Sequence, residues 1–291
     1  MDATLFDRII GQITPIKSIK HAAFYFSGEP LLNPRLAEML SRTKKETSVE
    51  RTDFHTNGML LTEQACRKLS ESEVDTIIVS IDGDTPLEND AIRIRSNYFK
   101  VRENVLRARK ILDKTRILIH NIRIPSRAEL GSRPQVPKFL ADDFGPGTIH
   151  SGHAMRWPGL TAESATQQGL EISTAEGHAT KAGLGLCTMP FNEIVVRANG
   201  EVTACCYDIT GELRMGNIRT SDLLEIWNNS KYRSLRQAIA TFGVTKPLPD
   251  TCRKCQIYSK EVLVRASRKP DRQAMPVALA GALPDGYLGK S

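Results

Sequence analysis

The stretch "VDTIIVSIDGD", residues 74–84, joins an apolar run to a polar turn that contains two aspartates. The apolar run is rich in β-branched residues and is short, which predicts a buried strand. Two earlier stretches repeat this design, "AAFYFSGEP" at residues 22–30 and "RTDFHTNG" at residues 51–58. The first part of the chain therefore contains a repeated unit in which a buried strand ends in a polar, glycine-containing turn.

Segments with helical spacing separate these strands. They lie at residues 5–13, 33–46, 62–72 and 97–114, and a further strand is expected at residues 115–124. Strands that alternate with helices of about 10–15 residues predict βα units and a parallel sheet. After residue 125, "VPKFLADDFG" predicts another helix and "GTIHSGHAMRW" a last strand. We therefore expect one α/β domain over residues 1–158.

The three polar turns are predicted to share one face of the molecule, because the carboxyl ends of parallel strands meet at the same edge. They read Ser27-Gly28-Glu29-Pro30, Thr56-Asn57-Gly58 and Ser80-Ile81-Asp82-Gly83. Each combines a glycine, which lets a ligand approach the backbone, with polar side chains. Ordinary turn chemistry explains any one of them. Three at one edge predict a ligand site.

Composition narrows the class of protein. The chain has 291 residues, 40% of them hydrophobic, and a net charge of +7. No apolar run approaches the roughly 18 residues of a membrane span, and no secretory leader is recognisable. We expect a cytoplasmic protein with reduced thiols and no membrane partner. The basic residues are spread along the chain without an RRM, KH or zinc-finger pattern, so nucleic acid is not expected as a partner.

Longer stretches around the turns are identified as similar to a known family. "FYFSGEPLLNPRLAEML", "HTNGMLLTEQACRKL" and "IIVSIDGD" followed by "DAIRIRSNYFKVRENV" resemble the radical S-adenosylmethionine (radical SAM) superfamily in order and spacing. The resemblance implies a partial (β/α)6, TIM-like barrel that binds SAM. It also implies that Gly28, Glu29 and Pro30 correspond to the family's GGEP motif beside the methionine amino group, with Ser27 in place of the first glycine.

The same resemblance assigns further residues to the SAM site. Family members line the SAM site at positions that correspond in this sequence to Thr56, Asn57, Ser80, Asp82 and Arg93. Carboxylates can accept hydrogen bonds from the ammonium and ribose hydroxyls of SAM, and an arginine can bind its carboxylate. For Arg93 the alternative is a surface residue on a charged stretch, since Arg95 is close by.

One element of the family pattern is missing. A CxxxCxxC loop should follow the first strand and hold a [4Fe–4S] cluster with one open iron, and these 291 residues contain no such motif. Cys66, on a predicted helix, is interpreted as a small buried hydrophobe. Two interpretations follow: an N-terminal truncation that removed the first strand and cluster loop, or a degenerate member without SAM cleavage. The three retained turns favour truncation, which an in-frame CxxxCxxC encoded upstream of Met1 would establish.

The remaining five cysteines lie in "CTMPFNEIVVRANGEVTACC", residues 187–206, and "CRKC", residues 252–255. Asn199-Gly200 between two apolar runs predicts a β-hairpin with a type I′ turn, which places Cys205 opposite Ile194. Adjacent residues of a strand face opposite ways, so Cys206 is not expected beside Cys205 in the same site. Four thiolates are a usual ligand set for a [4Fe–4S] cluster and for structural zinc.

One spacing resembles the opening of the SPASM domain, which holds auxiliary clusters in many radical SAM enzymes. It consists of Cys187, twelve residues, Gly200, four residues and Cys205. The segment "RMGNIRTSDLLEIWNNSKYRSLRQAI" resembles it too. The resemblance implies the shortened twitch form, with one [4Fe–4S] cluster on Cys187, Cys205, Cys252 and Cys255. Zinc-ribbon pairs usually lie closer, about 15–20 residues apart. The histidines show no metal-ligand spacing and are interpreted as mostly structural.

These patterns predict a small, cysteine-rich α+β domain at residues 187–260, after a linker at 159–186 and before a poorly ordered tail at 261–291. The resemblance implies a radical SAM/SPASM-type oxidoreductase that, in its intact form, oxidises or modifies a small-molecule or peptide substrate. It also implies a reductant such as flavodoxin or ferredoxin. The sequence identifies no catalytic residue and no reaction class. A non-catalytic iron–sulfur protein that has lost SAM cleavage and a zinc-binding interaction module remain alternatives.

Overall fold

The central feature is a five-stranded parallel sheet. The computed structural model describes residues 1–130, 132–154, 161–174, 186–255, 258 and 261–266. The sheet contains β1 (His21–Ala23), β2 (Arg51–Thr56), β3 (Thr76–Ser80), β4 (Arg116–Arg123) and β5 (Ile149–His153). The strands lie side by side in chain order, and every neighbouring pair is parallel. This is the arrangement of an open βα barrel, as the sequence predicts.

Helices precede the sheet and connect its strands. They are α1 (Ala3–Ile13), α2 (Leu36–Glu46), α3 (Glu63–Ser70), α4 (Pro86–Ile92), α5 (Tyr98–Ile111) and α6 (Lys138–Phe144). Sequence periodicity missed only α4 among these, a helix of seven residues in which Asn89 is the one buried residue. Its local signals are present: the Thr85 side chain caps the helix by accepting from Glu88 N, and Pro86 occupies the first turn.

The two faces of the sheet differ in burial. Phe54, Ile77 and Val79 are fully buried against helices such as α5, whose Val105 is also fully buried. Cys66 of α3 lies in this core with no exposed surface, which confirms its interpretation as a buried hydrophobe, and burial raises the pKa of its thiol to about 11. The alternate strand residues point to the opposite, inner face and are only half-buried.

The C-terminal cysteines belong to a second unit, which is built on an antiparallel sheet. After α7 (Ala162–Gln167) and β6 (Leu170–Thr174), an antiparallel sheet forms from β7 (Val195–Val196), β8 (Glu201–Thr203) and β9 (Arg214–Asn217). Four helices accompany it: α8 (Met189–Asn192), α9 (Leu223–Trp227), α10 (Ser230–Ala240) and α11 (Asp250–Arg253). The last described strand, β10 (Glu261–Arg265), pairs antiparallel with β6. Among the described residues, no helix has the length and apolarity needed to cross a membrane.

The hairpin prediction needs a correction. The observed register pairs Val195 with Thr203, and Arg197 N donates to Glu201 O, so the loop has three residues rather than two. Gly200 occupies the last loop position with φ +92°, a left-handed conformation that suits the bulged three-residue loop. The register is therefore shifted by one residue, and Cys205 does not stand opposite Ile194. Asn-Gly favours both turn types, which is why the sequence did not separate them.

The expected linker and tail also differ from the structure. The segment 159–186 contains α7 and β6, and the segment from 261 contributes β10. Leu170 and Leu263 of these strands are buried together with Ile124, so long-range packing stabilises segments whose local pattern is weak. Residues 159–160, 175–185 and 267–291 of the expected linker and tail lie outside the described residues.

Helix α1 joins the two parts of the molecule. Its Leu5, Phe6 and Ile10 are buried in one cluster with residues of the C-terminal sheet and helices, including Ile218 and Ile226. Polar contacts surround this cluster: Arg8 Nε donates to Ile218 O at 2.5 Å, and Gln12 Oε1 accepts from Leu223 N at 2.6 Å. Helix α1, with Met39 of α2, therefore shares one hydrophobic core with the cysteine-bearing unit, and this shared core is separate from the core between the sheet and its helices.

We expect Phe6→Ala to destabilise the whole described chain, because it opens a cavity in this shared core. The expected loss in the free energy of unfolding is about 3–5 kcal/mol. Thr4→Ala, on the exposed face of the same helix, is the matched control and should change it by less than about 0.5 kcal/mol. Urea unfolding followed by far-ultraviolet circular dichroism measures both. An unchanged midpoint for Phe6→Ala would contradict the shared core.

Candidate functional site

The first two polar turns are held together by Glu29. Its Oε1 accepts from Thr56 Oγ at 2.7 Å and from Leu31 N at 3.1 Å, and its Oε2 accepts from Asn57 N at 2.8 Å. Pro30 begins the short 3-10 helix that Glu29 caps. Gly28 has φ +97° and nothing within 4 Å of where a side chain would start. The carboxylate thus fixes both turns and leaves an open backbone position beside them.

The third turn is built around Asp82, which is 8% exposed. Its Oδ1 accepts from Ile122 N at 3.1 Å, and its Oδ2 forms an ion pair with Arg93 at 2.8 Å. Arg95 is exposed, so the structure selects Arg93 rather than Arg95 for this edge. The Arg93 Nε is buried and has no hydrogen-bond partner among the described residues. A buried donor without a partner is costly and is suited to a ligand's carboxylate.

Sequence reasoning missed the residues that stiffen this turn. Asn89 Oδ1 accepts from Asp82 N at 3.0 Å, and Asn121 Nδ2 donates to Ile81 O and Gly83 O, both at 2.9 Å. Their signal in the sequence was weak, because an asparagine inside a strand or helix does not by itself predict which groups its side chain will bind. Ser80 ends β3 and is half-buried on the inner face of the sheet.

Arg265 of the C-terminal strand reaches the same region. Its guanidinium donates to Ile124 O at 2.9 Å and forms ion pairs with Asp84 at 3.1 Å and Glu88 at 2.5 Å. Asp84 also pairs with Arg123. Arg265 of the expected tail therefore forms ion pairs behind the Asp82 turn, a long-range contact that no local pattern predicts.

A row of rings crosses the inner face beside these turns. Tyr25 lies 4.0 Å from His55, His55 lies 6.0 Å from His120, and His120 lies 5.6 Å from His150, measured between ring centroids. Burial, and secondly the neighbouring His120, lower the pKa of His55 to about 4. Burial also lowers the pKa of His120. The imidazoles of His55 and His120 are therefore neutral near pH 7. Their inward strand positions were a signal for a shared face.

The four predicted ligand cysteines line one pocket. Its walls also include Pro190, Tyr207, Leu213, Ile239, Thr251 and Tyr258, alongside Cys187, Cys205, Cys252 and Cys255. Without metal, burial raises the pKa of Cys187, and raises that of Cys252 to about 12. Such thiols ionise when a metal centre binds them, so the pocket is chemically suited to a thiolate-ligated centre.

Four thiols are a usual ligand set for structural zinc as well as for a [4Fe–4S] cluster. In the part of the chain that the structure describes, no three His, Cys, Asp or Glu side chains converge on a position for one metal ion. The four thiols that line this pocket therefore fit either centre by their chemistry.

Cys205 lines the cysteine pocket, and Cys206 is not among the residues that line it. Strand β8 ends at Thr203, so strand alternation is not the reason for this difference. The two thiols influence each other, which raises the pKa of Cys205 and lowers the pKa of Cys206. Burial raises the pKa of Tyr25, and Cys206 contributes to that rise.

A cavity and a lone cysteine lie apart from this site. A cavity at the amino-terminal edge of the sheet is lined by His21, Arg51, Asp53 and Asp75, and lies opposite the three turns. Residues 1–186 contain a single cysteine, Cys66, and it is buried on the far face. The residues present here therefore do not fit the SAM-cleaving cluster, whereas the turns fit SAM and the pocket fits an auxiliary cluster.

Comparison with known proteins finds one matched domain over the residues of the turns and another over the cysteine pocket. The family model of the radical SAM superfamily matches residues 4–124. The model of the SPASM domain, an iron–sulfur cluster-binding domain, matches residues 187–256. The S-adenosyl-L-methionine-dependent 2-deoxy-scyllo-inosamine dehydrogenase of Niallia circulans is 23% identical over 259 residues, which are 89% of this chain and 82% of that protein.

A shorter match and two solved structures complete the comparison. The tungsten-containing aldehyde ferredoxin oxidoreductase cofactor-modifying protein of Pyrococcus furiosus is 33% identical over 82 residues, 28% of this chain and 22% of that one. BtrN in complex with AdoMet and 2-DOIA aligns with a TM-score of 0.54 at 20% identity, covering 89% of this chain and 84% of that chain. Native anSMEcpe with AdoMet and the Cp18Cys peptide aligns with a TM-score of 0.60 at 16% identity, covering 90% and 81%.

The solved structures share the fold, and the two matched domains identify SAM and iron–sulfur clusters as the cofactors of this kind of chain. The chain belongs to the radical SAM superfamily and carries a C-terminal SPASM domain.

Proposed function

We propose that this protein is a SAM-dependent radical oxidoreductase that dehydrogenates a small molecule and holds one auxiliary [4Fe–4S] cluster. The observation that supports the proposal is that two candidate sites occur in parts of the chain that pack together through helix α1. Three strand-end turns are braced by Glu29 and Asp82, and four cysteines line a separate pocket. The SAM-cleaving cluster would need a CxxxCxxC segment in addition to residues 1–291.

The strand-end residues would hold SAM by charge and backbone access. Gly28 gives open backbone for the methionine end, and Glu29 and Asp82 place carboxylates near its ammonium and the ribose hydroxyls. Arg93 has a buried Nε–H available for the carboxylate of SAM while its terminal nitrogen stays on Asp82. Thr56, Asn57 and Ser80 complete the polar edge.

The four cysteines Cys187, Cys205, Cys252 and Cys255 would hold the auxiliary cluster with no open iron. When bound, the auxiliary cluster would supply an acceptor for one electron from the substrate, and removal of a hydrogen atom would need the SAM-cleaving cluster, for which residues 1–291 have no CxxxCxxC ligand set. With loss of one proton, the net reaction is a two-electron oxidation. The 2-deoxy-scyllo-inosamine dehydrogenase, which matches 89% of this chain, supports this class over peptide modification. A flavodoxin or ferredoxin is the proposed reductant, and the net charge of +7 suits an acidic partner.

A second candidate is a non-catalytic iron–sulfur protein. One observation favours it: residues 1–186 contain a single cysteine, Cys66, and therefore no group of cysteines that could hold a SAM-cleaving cluster. The two candidates share the auxiliary cluster and differ in SAM cleavage, so one experiment addresses the ligands and another addresses the reaction.

We expect anaerobic reconstitution with iron and sulfide to give about four irons and four sulfides per chain, as one [4Fe–4S] cluster requires. Cys252→Ala should abolish the cluster, because it removes one of four ligands. Cys66→Ala is the control and should keep it, since Cys66 is in the barrel core. Cys206→Ala should also keep it. Stoichiometric zinc without sulfide, or loss of the cluster in Cys206→Ala alone, would contradict the ligand assignment.

The 291-residue chain itself should form no 5′-deoxyadenosine from SAM under anaerobic dithionite, because no iron with an open position is held near the turns. An extended form that carries a CxxxCxxC segment ahead of Met1 should form it. Liquid chromatography with mass detection measures the product. Cluster-dependent 5′-deoxyadenosine from the 291 residues alone would overturn the ligand assignment, and none from the extended form would favour the non-catalytic candidate.

A further inference from the structure

An exposed apolar tip follows the end of helix α10. It consists of Phe242, Gly243 and Val244, which come directly after the helix cap Thr241. Phe242 is 60% exposed and Val244 is 86% exposed. Single exposed apolar side chains are ordinary on protein surfaces. Exposure alone therefore does not distinguish the tip, but its backbone conformation does.

The tip has the hydrogen bonds of a Schellman motif. Gly243 N donates to Ala238 O at 2.8 Å, and Phe242 N donates to Ile239 O at 3.1 Å. Phe242 occupies the position of this motif that is usually glycine, and its φ is +50°. A residue with a side chain is strained in this left-handed conformation. The chain thus places a phenylalanine where glycine would give a less strained turn.

Burial within this chain does not offset the strain of Phe242. A buried aromatic ring stabilises a fold through the apolar area that it removes from water, but most of the surface of Phe242 stays in water. Residues in strained backbone positions cluster at functional sites. Aromatic side chains are also enriched at the centres of protein interfaces. The tip therefore has the properties of a contact for another molecule.

The part of the chain that carries the tip is basic. Residues 230–255, the basic segment, contain six lysines and arginines and one carboxylate, that of Asp250. They account for most of the net charge of +7. Lys246, shortly after the tip, is exposed, and so are Arg253 and Lys254, which both pair with Asp250. A positive surface with an exposed apolar element is complementary to an acidic protein.

The tip lies next to the cysteine pocket. Ile239, whose carbonyl accepts the hydrogen bond from Phe242 N, lines that pocket. Leu248 lies 3.6 Å from the point where a side chain on Gly243 would begin, and it packs in the same cluster as Cys252. A molecule bound at the tip would therefore be close to the centre that the four thiols are suited to hold.

We propose that the tip and the basic segment form the docking surface for a small acidic one-electron carrier protein of the flavodoxin or ferredoxin class. The inference rests on the proposed function and names the surface that this partner uses. The charge of the segment fits an acidic partner, and the neighbouring pocket favours a redox protein over a nucleic acid. In the complex, one electron passes between the carrier and the centre in the pocket, so that one is oxidised as the other is reduced and no atom is transferred.

Isothermal titration calorimetry of the full chain tests docking with three probes: an acidic flavodoxin, poly-L-glutamate and a short single-stranded DNA. We expect flavodoxin to bind more tightly than either other probe. Its binding should weaken as the salt concentration rises, because salt screens the attraction between the two surfaces. Tighter binding of poly-L-glutamate would show that charge alone is sufficient, and tighter binding of DNA would identify a nucleic-acid surface. Either result, or no binding of flavodoxin, would overturn the proposal.

The substitution Phe242→Gly separates docking from folding. Glycine adopts the left-handed conformation without strain, so the urea midpoint of unfolding should rise. Flavodoxin binding should nevertheless weaken by about tenfold, the loss expected for an aromatic contact at the centre of an interface. Phe242→Tyr keeps the ring and should keep the affinity. Phe99→Ala removes another exposed ring, on α5, and is the matched control that should leave binding unchanged. Unchanged affinity in Phe242→Gly, or a lower urea midpoint, would contradict the assignment.

A charge reversal gives a second readout. Lys246→Glu should weaken flavodoxin binding by about fivefold at low salt and by much less at high salt. Lys68→Glu reverses the charge of an exposed lysine on α3 and is the matched control. Equal effects of the two reversals would contradict docking at the basic segment. Iron and sulfide content and 5′-deoxyadenosine formation are measured separately, so failure of the proposed function is distinguishable from failure of this inference.

Discussion

The parallel pairing of five strands in chain order is the constraint on which the site depends. Parallel register brings every strand to the same edge at its carboxyl end, so three turns from distant parts of the sequence become neighbours. The hydrogen bonds of Glu29 to Thr56 and Asn57, and of Asp82 to Ile122, then fix these turns relative to one another. The same pairing separates a sealed outer face from an accessible inner face.

The C-terminal unit is attached to this sheet at two places. Helix α1 provides the shared core with the cysteine-bearing sheet, and strand β10 provides Arg265, which holds Asp84 and Glu88 behind the Asp82 turn. Relative motion of the two parts would cost buried apolar area and ion pairs together. These contacts pack the cysteine-bearing unit and the strand-end turns into one structure.

The sequence predicted the parts that local pattern determines and missed those that long-range contacts determine. Alternation and the turns at Gly28, Asn57 and Asp82 predicted the strands of the barrel and their common edge. The resemblance to the SPASM domain predicted that Cys187, Cys205, Cys252 and Cys255 lie together, and all four line one pocket. The strand pair β6–β10 was missed because two weak segments about 90 residues apart stabilise each other. The sequence analysis interpreted the histidines as mostly structural, because His55, His120 and His150 have no ligand spacing along the chain and become neighbours only once the sheet forms.

The proposed all-thiolate cluster in the cysteine pocket is separate from the residues proposed to bind SAM. Mössbauer spectroscopy of the 291-residue chain reconstituted with 57Fe, recorded with and without SAM, distinguishes an all-thiolate cluster from one with an open iron. The same spectrum is expected in both samples, because each of the four irons would already carry a cysteine. A change at one iron upon addition of SAM would show an open coordination position and would contradict the assignment of the cluster.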